Sequence, residues 1–281
     1  MTPSFLSRMP AFITALLLAV SALALPVRAA DRDRIEAFLT TTGFDVALDS
    51  IALSAESAPR MLGREAGDFG AQWTQLADRI FDTGTMHDMA VAILQETLDQ
   101  DDLMHAVDFY ASDLGQRLVA AENASHMMPD DAGKLEQGKE IFAALVAEGS
   151  PRVAYFQRMN DAISSDDSAV RAIEEIQVRF LMAASVAGVL DRPLDEDALR
   201  AVLADGRDEL RVELRANSLA SAAFTYRDFS DEDLRLYTEA LEHPQMRRVY
   251  ELLNAVQHEI MANRFEVLAV AMADLTPGQE L

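Results

Sequence analysis

Apolar residues recur every three or four positions along nearly the whole chain from Asp31 onward, the spacing of one face of an α-helix. Ile35, Phe38 and Leu39 open the first set, and Gly43 ends it. A second set, Val46, Leu48, Ile51 and Leu53, is expected to yield near Pro59, which lacks the N–H an interior helical position needs. Phe69, Trp73, Leu76, Ile80 and Phe81 continue the pattern up to Gly84, with the single tryptophan as a core anchor. Thr85 opens another helix, with Met86, Met89, Ile93 and Leu94 inward. Further helices start at Pro129-Asp130-Asp131, at Pro151 and at Ala169, the last running into the uncharged stretch Phe180 to Leu190 that Pro193 breaks. Leu199 to Tyr226 reads as one long helical stretch. Period-two alternation with β-branched residues and hairpin turns is nowhere sustained. The expected fold is all-α, a helix bundle of two packed lobes related by a degenerate pseudo-repeat. The N-terminal lobe is expected at 30–163 and the C-terminal lobe at 164–281, with Ser164-Ser165-Asp166-Asp167 as the boundary.

Two helices meet at a corner within Asp102–Met128. Leu103, Val107 and Tyr110 share one face before the bend, and Leu114, Leu118, Ala121 and Met128 share one after it. Ser112 is placed to be the N-cap of the second helix, accepting from a backbone N–H, and Gly115 leaves room for close approach. A shift of 131 positions lays this corner on 230–259: Asp102, Leu103, Arg117, Asn123 and Ala124 recur as Asp233, Leu234, Arg248, Asn254 and Ala255. Pro244 then falls at the first helical position, where a missing N–H costs nothing.

The residues Leu103, Phe109-Tyr110-x-Ser112-x-Leu114-Gly115-Gln116 and Leu118 resemble the motif of the domain-of-unknown-function 2059 family, written Phe-Tyr-x-Ser-Pro-x-Gly. Asp113 stands where that motif commonly has Pro, and Asp also suits a first helical turn. The second copy keeps the proline in His243-Pro244 and loses Ser and Gly. The resemblance implies a secreted, helical bacterial protein and no particular chemistry. Leu103, Phe109, Tyr110, Ser112, Gly115 and Leu118 are accordingly expected to be structural.

The N-terminus carries a different signal. Arg8 precedes the uncharged run Ala11 to Leu25, Pro26 ends it, and Val27 and Ala29 fit the small-residue positions of a signal peptidase site. Fifteen apolar residues are short of the roughly 20 that a membrane span requires, so residues 1–29 are expected to be a signal peptide cut between Ala29 and Ala30. The chain carries 24 basic and 47 acidic residues, a net charge of −23, and loss of Arg8 and Arg28 takes it to −25. That field excludes nucleic acid as a partner, because phosphate binding relies on Lys and Arg. With no Cys, disulfides and thiol chemistry are absent. The protein is expected to be exported, in the periplasm or beyond, with no membrane span in its mature part.

No reaction centre is legible. None of His87, His105, His126, His243 and His258 follows a Glu by three residues, as a carboxylate-bridged metal bundle requires. Glu122 precedes His126 by four, a spacing that is usually a surface contact. The acidic clusters lack calcium-loop spacing and fall at helix starts, where they cap. Ser112 has no local base to make it a nucleophile. No catalytic, metal or cofactor-binding residue is therefore assigned, and no cofactor is expected. A non-catalytic binding or envelope-associated module is the leading reading, with a protein, peptide or apolar ligand as partner, the last on a surface of the 13 Met. The alternative is a hydrolase or metal-dependent enzyme whose site forms only in space; a pocket with several pKa-shifted carboxylates or His would favour it. Mass spectrometry of the exported protein should find an N-terminus at Ala30; an intact 1–29 segment would refute the expected cleavage.

Overall fold

The computed structural model describes residues 32–63, 70–164, 166–190 and 192–275. The expected cleavage site at Ala29 and Ala30 lies outside them, as does Phe69. No strand occurs among the described residues, and the architecture is an all-α bundle. Its helices are α1 (Arg32–Thr42), α2 (Phe44–Ser50), α3 (Ala58–Met61), α4 (Gly70–Ile80), α5 (Thr83–Thr97), α6 (Gln100–Tyr110), α7 (Asp113–His126), α8 (Asp131–Ala147), α9 (Arg152–Ile163), α10 (Asp166–Val186), α11 (Glu196–Asp205), α12 (Arg207–Thr225), α13 (Asp231–Leu241) and α14 (Pro244–Ala271). No described helix is long and apolar enough to cross a membrane.

The axis of the bundle is α14. It spans 28 residues and buries Met246, Val249, Leu253, Val256 and Ile260 at steps of three and four, then Phe265 and Leu268. Each such side chain contributes about 1.5–3 kcal/mol when taken fully out of water. α14 packs on α10 and also on α4, α5, α6 and α9. Helices from both sides of Ser164 therefore share one continuous core, which holds Trp73 and Phe81 together with Phe180 and Phe265.

Helix starts follow the side-chain acceptors. Asp99 caps α6 through Asp101 N–H, Asp130 caps α8 through Gly133 N–H, and Asp195 caps α11 through Ala198 N–H, at 2.8, 2.9 and 2.8 Å. Asp82 starts α5 at Thr83, two residues ahead of Thr85, so Gly84 lies inside a first turn instead of ending a helix. The second helix yields at Ser50, well before Pro59, and continues as a 3-10 segment over Ile51–Ser57. There the Ser50 and Ser54 hydroxyls donate to the Ala47 and Ile51 carbonyls, competing with the α-helical ladder. Pro59 is the second residue of α3, in a first turn that needs no N–H from it. The stretch expected as one helix over Leu199–Tyr226 divides at Gly206, the residue type with the largest backbone entropy cost in a helix after proline's steric one.

The motif residues build the first corner. Ser112 Oγ accepts from Gly115 N–H at 3.1 Å and donates to the Phe109 carbonyl at 2.6 Å, and Gln116 Nε2 donates to the Tyr110 carbonyl at 2.7 Å. A Cβ on Gly115 would lie 2.5 Å from Tyr110 Cα and 2.7 Å from its carbonyl oxygen, so no side chain fits. The second corner, α13 to α14, has its helix bounds displaced from those of α6 and α7 by the same 131 residues at three of four ends. Leu103, Tyr110 and Leu118 are buried, and so are Leu234, Leu241 and Val249. Met246, which occupies the place of Gly115, shows that the second corner is the more open one.

The two corners face each other and exchange ion pairs. Arg117 donates to Asp233 at 2.7 Å, and Arg248 donates to Asp102 at 2.8 Å. Arg117 with Ser230 holds the Asp233 carboxyl down at about 2. Its stabilising contribution is thus present above the ordinary aspartate range and lost as pH falls toward 2. Ser112→Ala should cost about 1 kcal/mol, the usual value of a lost cap. Gly115→Leu should cost about 1–3 kcal/mol through overpacking against backbone. Urea unfolding midpoints of the two variants check both values.

Candidate functional site

Helices α7, α8, α9, α12, α13 and α14 converge on an internal chamber of about 380 Å³, with the α1–α2 junction as a further wall. That volume lies at the small end of the range of ligand pockets, about 300–1,000 Å³. Its centre is Glu122. On α7 the buried Leu118 and Val119 define the inward face, and helical spacing carries that face through Glu122 to His126. A carboxyl is thereby held on an apolar stripe, where it must find partners inside the protein.

The partners are phenols. Tyr226, the residue that ends α12, and Tyr237 from α13 both donate to Glu122 Oε1, at 2.7 and 2.8 Å. Tyr110 from the end of α6 and Tyr250 from α14 complete the cluster. The hydroxyls of Tyr110 and Tyr250 meet each other, and each lies 3.2 Å from that of Tyr237. Phe109 stacks on Tyr237 with ring centres 5.8 Å apart, and Tyr226 packs edge-on to Tyr237 at the same separation. Tyr110 and Tyr237 are buried, while Glu122, Tyr226 and Tyr250 keep partial exposure through the chamber.

Burial raises the Glu122 carboxyl above its ordinary range, and the two phenol donors only partly offset that shift. Burial likewise pushes the Tyr110, Tyr226, Tyr237 and Tyr250 hydroxyls up, so all four stay protonated donors. Oε2 of Glu122 takes no hydrogen bond from the described residues. His126, one helical turn further along α7, retains solvent contact and marks an open end. Desolvation first, and the neighbouring Lys134 second, lower its imidazole toward the neutral form. Lys134 itself is turned to Asp131, at 2.6 Å, and to the Ser125 carbonyl, at 3.1 Å.

Amides and hydroxyls line the rest. Ser218 Oγ donates to Asn160 Oδ1 at 2.6 Å, Thr225 donates to Ser125 at 2.9 Å, and Asn254 Nδ2 donates to the Ile163 carbonyl at 2.7 Å. Asn123 and Asn254, the asparagines that recur at the 131-residue shift, both line the chamber. None of the serine hydroxyls is paired with a base among these bonds. Among the described residues no group of three or more His, Asp or Glu is arranged to hold a metal ion. Among the described methionines only Met159 lines the chamber, whose walls combine hydroxyls and amides with apolar side chains such as Phe44, Phe156 and Leu253.

Residues 84–143 match the family model of domain of unknown function 2059. That family is described as an uncharacterised protein conserved in bacteria. No curated protein and no solved structure matches the chain. The segment resembling the domain-of-unknown-function 2059 family runs from α5 into α8 and supplies Tyr110, Glu122, Asn123, Ser125, His126 and Lys134 to the chamber; the remaining walls come from outside it.

The motif residues thus have distinct places. Tyr110 enters the chamber, Phe109 supports Tyr237, and Leu103, Ser112, Gly115 and Leu118 fix the corner behind them. Glu122, Asn160, Tyr226, Tyr237 and Tyr250 were not legible as a site. The available signal was a glutamate continuing the apolar face of α7, in place of the surface contact that its spacing to His126 suggested.

Because folding raises the Glu122 carboxyl, this group favours the folded state most at low pH and loses that contribution as pH rises from the unfolded range through the folded one. Glu122→Gln removes the dependence and keeps an acceptor for the two phenols. The variant should match the wild type in acid and melt higher than it at pH 8, as thermal unfolding followed by circular dichroism would show.

Proposed function

We propose that this protein is a non-catalytic binding module that is exported and works in the bacterial periplasm, taking a small polar molecule into the chamber around Glu122. The observation that carries this reading is a 380 Å³ internal space into which a carboxyl, amides and hydroxyls from different helices converge. Pockets with convergent polar groups on a rigid apolar scaffold are the usual form of a binding site. The leader-like segment 1–29 and the secreted character of the resembled family support export. The exchanged pairs Asp102–Arg248 and Arg117–Asp233 support descent of the two corners from one repeated unit, packed with the reciprocal contacts of a two-fold interface.

A second reading has one observation in its favour. Glu122 and His126 both shift toward their neutral forms within the same chamber, as acid–base groups do. A hydrolase would need a nucleophile or activated water beside them, and Ser218 and Ser125 are engaged with Asn160 and Thr225 instead, while Ser221 is paired with no base.

Thermal unfolding of the purified protein against a set of sugars, polyols, amines and small acids tests the binding reading. A true ligand at a hundred times its Kd should stabilise by about 2.7 kcal/mol, and Tyr226→Phe should weaken it. Hydrolysis of chromogenic esters, phosphates or glycosides, abolished by Glu122→Gln, would replace this reading with the enzymatic one.

A further inference from the structure

Resting on the proposed binding role, we infer that the chamber ligand is an organic cation, a molecule whose ammonium group docks on Oε2 of Glu122 while its carbon skeleton lies against Phe44, Phe156 and Leu253. Three features of the chamber lead there.

The first is the occupancy of the carboxyl itself. Both phenol bonds fall on Oε1, and neither Tyr110 nor Tyr250 bonds to the carboxyl, since both are spent on hydroxyl contacts within the cluster. No described residue donates to Oε2, so its lone pairs are left for a donor that something else brings into the chamber. A carboxylate in that position is incomplete without a donor brought by something else.

The second is the missing counter-charge. No described arginine lines the chamber. Every titratable group that faces Glu122 can be named: Tyr110, Tyr226, Tyr237 and Tyr250 are neutral phenols, His126 is held toward its neutral form, and Lys134 already pairs with Asp131. An ionised Glu122 therefore has no cation of its own inside the protein. Removing one partner from a buried pair leaves a costly charge, and the arrangement here is such a half-pair built into the fold. Burial raises the carboxyl; an ammonium at Oε2 would reverse that, because an opposite charge within hydrogen-bond reach favours the ionised form.

The third concerns the rest of the ammonium. Its other N–H groups need acceptors, and the amides of Asn123 and Asn254 line the chamber from α7 and α14. Aromatic and aliphatic walls at Phe44, Phe156, Met159 and Leu253 suit an alkyl or ring skeleton. The net charge of −23 gives the protein a field that draws cations toward it. An anion would meet an acidic surface outside and a carboxyl inside.

The test pairs each amine with its uncharged hydroxyl counterpart, so that shape stays constant and charge varies. Isothermal titration calorimetry at pH 8 would compare ethanolamine with ethylene glycol and cadaverine with 1,5-pentanediol, both amines being fully protonated there. At least one amine should bind about tenfold to a hundredfold more tightly than its partner, the span of a hydrogen bond to a charged group. The preference should vanish in Glu122→Gln, and the wild-type affinity should fall as acidification protonates Glu122. A circular dichroism melt keeps the comparison valid by showing that the variant is folded, and Asn254→Ala gives a second variant that should weaken amines while leaving Glu122 in place. Hydroxyl counterparts binding as tightly as the amines, or an amine preference that survives Glu122→Gln, would overturn the cation assignment and leave the binding reading intact. Absence of binding by every amine and every polar molecule tried would overturn both.

Discussion

A carboxyl on the inward face of α7 has to be satisfied away from bulk water, and much of the molecule's organisation meets that requirement. Glu122 draws phenols from the end of α12 and from α13, and those phenols are in turn positioned by rings on α6 and α14. Five helices must therefore arrive together for one side chain to be accommodated. A cluster of this kind is worth little if incomplete, because low local dielectric makes each unpaired polar group costly. This couples the first half of the chain to the second more specifically than apolar packing around α14 does, since apolar contacts tolerate shifts that hydrogen bonds between hydroxyls do not.

The opposed corners supply the frame for that cluster. Gly115 brings the start of α7 against the end of α6, which puts Tyr110 at the chamber while Leu118 and Val119 stay in the core. The exchanged Arg–Asp pairs then set the two corners against each other at their rims. Both arginines are largely exposed, so their direct contribution to stability is modest. Their effect is on alignment: each carboxylate is the less exposed partner and accepts its arginine in one defined geometry. The resembled family motif takes on a physical meaning here, since its residues cap, close and brace the corner from which the chamber is built.

The chamber departs from ordinary core in a specific way. Elsewhere buried positions are filled by Leu, Val, Phe and Ala, as along α14. Around Glu122 the same helical faces switch to Ser, Thr, Asn and Tyr, and packing stops short of filling the space. A fold under selection for stability alone would close such a space with apolar side chains, since a buried polar set offers no stability advantage over them. The retained space and the carboxylate oxygen without a protein donor are the features on which the proposed binding role rests.

Much of the fold was legible because it depends on local rules. Three-and-four spacing marked the helices, Asp and Ser at helix starts marked their caps, and the bend between Tyr110 and Asp113 followed from a Ser cap and a glycine. At Thr85 and Pro59 a neighbouring cap or a serine hydroxyl outweighed the breaker that the sequence displayed, whereas at Gly206 a glycine divided a stretch read as one helix. The site was different. Tyr110, Tyr226, Tyr237 and Tyr250 stand up to 140 residues apart, and no spacing relates them to Glu122, whose own position looked like half of a surface pair with His126. Helical periodicity says which face of a helix turns inward, and a glutamate there announces only that partners must exist. Which helices bring those partners is decided by how α14 is wrapped, a long-range packing outcome that local sequence does not encode.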